Sequence, residues 1–98
     1  MSANAARGEA GYLGLTLRPS FTALVNAEWE IGPLFLLVER AASGTLSLTD
    51  MVALFWHCID ARPADLTRED FADRVAAGGL ANATPALKVL LGQILKGQ

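Results

Sequence analysis

The chain has 98 residues, of which 52% are hydrophobic and 18% are charged, and its formal net charge is −2. A chain of this length is expected to form one domain around one hydrophobic core. The eight basic residues are scattered, which argues against nucleic-acid binding, and the single cysteine excludes an internal disulfide and suits a reducing cytoplasm.

The beginning of the chain carries no targeting pattern. Residues 1–8 are small and polar, so we predict that they are disordered and that residues 9–98 form a single helical domain. The longest apolar runs, residues 31–38 and 51–59, are far shorter than the ~20 residues that a transmembrane helix needs. The sequence therefore predicts a cytoplasmic protein that does not bind membranes.

Residues 12–17 place a leucine at every second position, a spacing typical of a half-buried β-strand. Pro19 ends this strand because proline cannot donate a ladder hydrogen bond. A lone strand leaves backbone groups unpaired. Either residues 3–9 pair with it in a rudimentary hairpin, or a second copy of the chain supplies the neighbouring strand.

Two helices follow the predicted strand. Ser20 is a helix N-cap, and Gly32 ends the helix that it begins. Pro33 fits the first turn of the second helix, which Gly44 ends. The apolar stripes predicted to face the core are Phe21, Leu24, Val25 and Trp29 in the first helix and Leu34, Leu37, Val38 and Ala41 in the second.

Three more helices complete a mainly α fold of about five short helices with a small N-terminal β-strand or rudimentary hairpin. Ser47 and Thr67 are N-caps, each followed three residues later by an aspartate. Thr84 and Pro85 predict the start of the fifth helix. The apolar positions are Leu48, Met51, Val52, Phe55 and Ile59, then Phe71, Ala72, Val75 and Ala76, then Leu87, Leu90, Leu91, Ile94 and Leu95.

Two side chains with reactive chemistry are candidates for a site. His57 is the only histidine, and helical geometry places it opposite the apolar stripe, facing solvent with Asp50. It could act as a base or a metal ligand, but a metal site needs three or four ligands, so a plain polar face explains it better. Cys58 lies beside the stripe about 100° from His57, which predicts a buried structural thiol rather than a nucleophile.

The acidic residues of the fourth helix have an equally simple explanation. Glu69, Asp70 and Asp73 lie near its N-terminus, where carboxylates interact favourably with the helix dipole. The segment lacks the alternating oxygen ligands of a calcium loop. We predict no catalytic, cofactor-binding or metal-binding residue, no cofactor, and therefore no enzymatic activity.

Some large apolar residues fall outside the predicted core stripes. They are Leu36, Leu54, Trp56 and Val89. Their helices could be buried on two sides, or single apolar residues could simply be exposed, which is common. The functional alternative is that they form a patch that binds another protein.

Glu28 is an unusual residue for its position. It falls within the predicted apolar stripe of the first helix, where an unpaired carboxylate would cost stability. We expect Arg18 or Arg40 to pair with it.

Several short segments carry a resemblance to a known family. They are Gly8-Glu9, Leu17-Arg18-Pro19-Ser20-Phe21, Ala23-Leu24 with Glu28, Leu37-Val38-Glu39-Arg40, and Leu48 and Asp50 with Val52-Ala53-Leu54. Together they resemble the small proteins of gene transfer agents and related siphophages that are encoded between the tail-tube and tape-measure genes. This family is described as tail assembly chaperones and is sometimes labelled tail-tube protein. Its members have a fuller N-terminal hairpin than this chain has room for.

The resemblance implies a non-enzymatic tail assembly chaperone in the cytoplasm of a bacterial host. Its partners would be the tape-measure protein, the tail-tube protein or both. The alternative is a structural tail-tube component that stays in the finished particle. Tail-tube subunits are usually β-rich, so five predicted helices favour the chaperone.

Overall fold

A computed structural model describes residues 9–97, so the predicted disorder of residues 1–8 lies outside the described residues. The helices are α1 (Phe21–Ile31), α2 (Leu34–Ser43), α3 (Leu48–Cys58), α4 (Arg68–Gly78) and α5 (Leu80–Lys96). The strands are β1 (Ala10–Tyr12), β2 (Leu15–Leu17) and β3 (Ile59–Asp60). The predicted mainly α fold, with about five helices and a small β part, is confirmed.

The strands form one antiparallel sheet in the order β1-β2-β3. Leu13 and Gly14 make the turn between β1 and β2, and both have left-handed φ angles, 54° and 75°. Such a two-residue turn matches the twist of a hairpin. On its other side β2 pairs with β3, where Leu17 lies opposite Ile59. Both neighbours of β2 therefore come from its own chain.

This sheet corrects the strand predicted over residues 12–17. The alternating leucines span a turn rather than one continuous strand, because Leu13 is a turn residue. The partner of β2 in the hairpin is residues 10–12, not residues 3–9. The backbone hydrogen-bonding groups of β2 therefore need no strand from a second copy of the chain.

Three of the predicted helix caps are present. Ser20, Ser47 and Thr67 each use the side-chain oxygen to accept a hydrogen bond from the backbone N–H three residues later, at 3.2, 3.0 and 3.0 Å. These bonds satisfy N–H groups that have no partner within the helix. The local sequence therefore sets where α1, α3 and α4 begin.

The predicted start of α5 at Thr84 and Pro85 is wrong. The helix begins at Leu80, with Gly79 as its N-cap, and Pro85 lies inside it. The Thr84 hydroxyl donates to the Leu80 carbonyl oxygen at 3.0 Å, as a threonine within a helix commonly does. The apolar and alanine-rich residues before Pro85 extend the helix by more than a turn.

The hydrophobic core surrounds α3. Five consecutive residues of this helix, from Met51 to Phe55, are buried, as is Cys58. α1 packs along one side of α3, α4 packs on another, and α5 contacts both α4 and β1. The largest fully buried side chains are Phe55, Phe71, Leu17, Leu37, Leu54, Leu90, Val75 and Cys58.

α1 packs against α3 through its small residues. Ala23 and Ala27 are buried, whereas Phe21 and Trp29 are 83% and 85% exposed. The distance between packed helices depends on the side chains at the contact, and alanines permit a close approach. Of the predicted stripe of α1, Phe21 and Trp29 therefore point away from the core, whereas Leu24 is partly buried against it.

A helix that crosses a membrane must be both long and apolar. No single helix within residues 9–97 is long and apolar enough to cross a membrane. Two consecutive pairs reach the required length and apolar character together, but α1 and α2 are bent by 74° and α4 and α5 by 113°.

Candidate protein-binding surface

One apolar face of α1 has a regular geometry, with exposed aromatic residues at its two ends and the partly buried Val25 between them. Phe21, Val25 and Trp29 follow one another at intervals of four residues, which places them along one ridge of the helix. Val25 and Trp29 also line a shallow groove of about 410 Å³ with Gly32 and Pro33, at the junction of α1 and α2. We call Phe21, Val25 and Trp29 the α1 stripe.

A second exposed apolar area lies on α2. Phe35 is 77% exposed and Leu36 is 44% exposed. Leu37, the next residue, is fully buried and anchors the helix to the core. We call Phe35 and Leu36 the α2 patch. Leu36 is one of the predicted contact residues, and its side chain is accessible to a partner.

The other three predicted contact residues are placed differently. Leu54 is fully buried, so its prediction as a surface contact is wrong. The reason is that α3 is enclosed on most of its circumference, and an off-stripe position on such a helix still faces the interior. Val89 is 37% exposed, at some distance in sequence from the α1 stripe and the α2 patch.

The Trp56 side chain packs against other residues of its own chain. Its ring lies 6.0 Å from the ring of Phe71, centroid to centroid. The guanidinium carbon of Arg62 lies 4.1 Å from the Trp56 ring centroid, a cation–π contact. Arg62 also donates to the Trp56 carbonyl oxygen at 3.1 Å. One side of the indole is thus covered, so Trp56 offers less surface than the α1 stripe.

Sequence patterns did not identify Phe21, Trp29 or Phe35 as surface residues. The signal that could have found them is that α1 has two apolar faces, one with large residues and one with Ala23 and Ala27. Only one of the two can face α3. A helix with a small face and a large face often uses the small one for close packing.

A charged cluster joins α1, α3 and α4. The Glu30 carboxylate accepts a hydrogen bond from Arg68 Nη1 at 2.8 Å, and Arg68 Nη2 contacts the other carboxylate oxygen. His57 Nε2 lies 2.9 Å from Glu30 Oε1. The side chain of His57 is only 21% exposed. The prediction that His57 simply faces solvent is therefore wrong, because α1 covers it.

This cluster is suited to structure rather than to acid–base chemistry. Hydrogen bonds from Arg68 and then from His57 lower the pKa of Glu30 to about 2. The bond to Glu30 raises the pKa of Arg68. A carboxylate with so low a pKa is a weak general base near neutral pH. The cluster thus holds three helices together.

Glu28 does not form the ion pair that we expected. Its carboxylate accepts a hydrogen bond from the backbone N–H of Leu34 at 3.1 Å, at the start of α2. Arg18 pairs instead with Glu9 at 3.9 Å, and Arg40 with Asp50 at 3.4 Å. Since the large face of α1 is exposed, Glu28 remains in contact with solvent and needs no buried partner.

The predicted burial of Cys58 is confirmed. Cys58 is 1% exposed, and burial raises the pKa of its thiol to about 12. A nucleophilic cysteine needs a lowered pKa and access to solvent, so this one has a structural role. Within residues 9–97, no group of three or more His, Cys, Asp or Glu side chains is arranged to hold a metal ion.

Comparison with known proteins gives one finding. A family model described as phage tail tube protein, GTA-gp10, matches residues 11–97. Searches of the curated proteins and of the solved structures find no match. The family match covers all five helices and most of the hairpin.

Proposed function

Because the chain belongs to the family described as phage tail tube protein, GTA-gp10, we propose that it is a structural protein of a phage-like tail that stays in the assembled particle. The particle is a phage or a gene transfer agent. The observation that carries the proposal is that large apolar side chains on α1 and α2 stay exposed although the chain has a complete core. The function is protein binding, not catalysis.

The exposed residues are of the kind that anchor protein interfaces. Aromatic side chains are enriched at the centres of interfaces, where they contribute most of the binding free energy. The α2 patch and the α1 stripe hold three aromatic residues that are at least 77% exposed, namely Phe21, Trp29 and Phe35. We propose that the α2 patch contacts another tail protein, either the tail-tube or the tape-measure protein.

A tail assembly chaperone is the second candidate, and the shortness of the strands favours it. β1 and β2 have three residues each and β3 has two, which is little sheet for a β-rich tube wall. A chaperone would use the same exposed surfaces to hold apolar helices of the tape-measure protein in the bacterial cytoplasm. It would leave before the tail is complete.

Mass spectrometry of purified particles separates the two candidates. A structural component is expected at a constant ratio to the other tail proteins through successive purification steps. Absence from particles, combined with loss of tails when the gene is deleted, would replace the structural role by the chaperone. Normal, infectious or gene-transferring particles from the deletion strain would contradict both.

Substitution of the α2 patch tests the proposed contact. Replacing Phe35 and Leu36 by serine is expected to abolish tail formation, because the apolar anchors of the interface are removed. Helicity should stay close to wild type, since Phe35 is 77% exposed and Leu36 44% exposed. Glu39→Gln, at an exposed position on the same helix, is the matched control. Normal tails from the double variant would show that the patch is not the binding surface.

A further inference from the structure

The α1 stripe has a property that the α2 patch lacks, which is symmetry about its central residue. Phe21 lies four residues before Val25, and Trp29 lies four residues after it. We propose that the α1 stripe binds the α1 stripe of a second copy of this chain, across a two-fold axis at Val25. This pairing goes beyond the proposed tail function and does not depend on it.

Helix packing geometry supports the pairing. Side chains spaced by four residues form a ridge inclined to the helix axis, and two such ridges interdigitate at a crossing angle of about −50°. This is the commonest packing class between helices in globular proteins. Phe21, Val25 and Trp29 form such a ridge, and its two ends are free, at 83% and 85% exposed. The second copy presents the identical ridge.

The side chains are complementary in the antiparallel arrangement. Val25 meets Val25 of the second copy, and Phe21 meets Trp29, so each aromatic ring packs on another ring. A two-fold interface must be self-complementary in this way. In an aromatic–valine–aromatic stripe this places aromatic contacts at both ends and the two valines at the axis.

The charges on α1 are also compatible with a second copy. Glu28 would lie opposite Thr22, whose hydroxyl can donate to the carboxylate. Glu30 is already held by Arg68 and His57 of its own chain. The alignment therefore sets no carboxylate directly against another.

The area available predicts a weak dimer. A stable interface buries about 800 Å² per partner, and an aromatic side chain supplies roughly 150–250 Å². Two aromatic residues and a valine thus provide about half of a standard interface. The protein should be studied over a concentration range that extends from low micromolar to about 1 mM.

A charge swap at the central residue tests the geometry. The full chain is measured by sedimentation equilibrium, in which the dimer has twice the 10.4 kDa mass of the chain. Val25→Glu and Val25→Lys alone are each expected to raise the dimer Kd at least about tenfold, because like charges would meet at the two-fold axis. An equimolar mixture of the two variants should form a heterodimer, because residue 25 then meets an opposite charge.

Two further variants keep the test decisive. Trp29→Ser changes a side chain that is 85% exposed, so it should weaken the dimer without affecting the fold, as circular dichroism can verify. Phe35→Ser lies in the α2 patch and should leave the dimer intact. A wild-type chain that stays monomeric throughout the range would overturn the proposal. So would a dimer that survives Val25→Glu, or a mixture that stays monomeric.

Discussion

Glu30 connects three helices through one carboxylate, because Arg68 and His57 both bind it. Its pKa in the folded protein is lowered from 4.5 to about 2, first by the hydrogen bond from Arg68 and then by that from His57. A group whose folded-state pKa is lowered adds stability above its unfolded-state pKa and loses that contribution as the pH falls through the folded value. The cluster should therefore stabilise the protein at neutral pH and not in strong acid.

Glu30→Gln tests this pH dependence. The carboxylate is 38% exposed, so solvent screens it, and we expect a loss of about 0.5–1 kcal/mol at neutral pH. The difference from wild type should be full above about pH 5 and should disappear towards about pH 2. Urea unfolding at a series of pH values measures it, with Glu39→Gln as the control. A difference that does not change with pH would show that ionised Glu30 does not stabilise the fold.

Tyr12 carries the one side-chain polar atom within residues 9–97 that is buried without a hydrogen-bond partner. Its ring packs 5.3 Å from that of Phe55 and 6.5 Å from that of Phe71, and burial raises the pKa of Tyr12. Because an unpaired buried hydroxyl costs free energy, Tyr12→Phe should be neutral or stabilise the protein by up to about 1 kcal/mol. Tyr12→Ala should cost about 3–5 kcal/mol. Thermal and urea unfolding compare the two, and a marked loss in Tyr12→Phe would reveal a partner for the hydroxyl.

Sequence patterns predicted features that depend on neighbouring residues in the chain. They did not predict contacts between residues that are far apart in sequence. The burial of Cys58 follows from its position beside the α3 stripe, and the prediction is confirmed. The partners of Glu30 are 27 and 38 residues away in the chain, so no periodicity connects them. The position of His57 could not be predicted either, because it depends on how α1 lies over α3.

At the scale of elements, the hairpin depends on a turn with an unfavourable residue in it. Asn-Gly is the preferred pair for such a turn, since both residues need positive φ. Here the first position is Leu13, with φ of 54°, and glycine is present only at position 14. A leucine there gives no turn signal, so the sequence predicted one strand where the chain forms two.

Two glycines of the hairpin form a matched pair for a test. A Cβ added at Gly14 or at Gly11 would meet no atom within 4 Å, but only Gly14 has a positive φ, of 75°. Gly14→Ala should therefore destabilise the protein by about 1 kcal/mol through backbone strain alone. Gly11→Ala should be neutral or slightly stabilising. Urea denaturation midpoints of the two variants measure this difference. Equal midpoints would contradict the turn geometry.

Helix existence was predictable, and helix orientation was not. The caps at Ser20, Ser47 and Thr67 are bonds between residues three apart, so they are visible in sequence. The pairing of β2 with β3 joins segments more than forty residues apart, and no sequence pattern predicts it. In α1 the hydrophobic pattern identified the large apolar face, but contact with α3 selected the face with the small residues Ala23 and Ala27.

For the whole molecule, the question is whether the core is complete without the exposed aromatic residues. The fully buried set includes side chains from β2 and from α2 to α5, and it surrounds α3 on several sides. A domain of this size needs no further apolar contacts to fold alone. The exposed apolar residues are therefore free to bind partners, which is what a tail protein requires.

Two phenylalanines separate the roles of core and surface within the same chain. Phe55 is fully buried and Phe35 is 77% exposed, so truncating each to alanine removes the same atoms from opposite environments. Phe55→Ala should cost about 3–5 kcal/mol of unfolding free energy, because it leaves a cavity at the centre of the core. Phe35→Ala should change it by no more than about 0.5 kcal/mol, since its ring gains little from burial in the isolated chain. Urea unfolding of the isolated chain measures both. If Phe35→Ala also destabilised the chain strongly, Phe35 would belong to the packing of the fold, and the α2 patch would not be available to another tail protein.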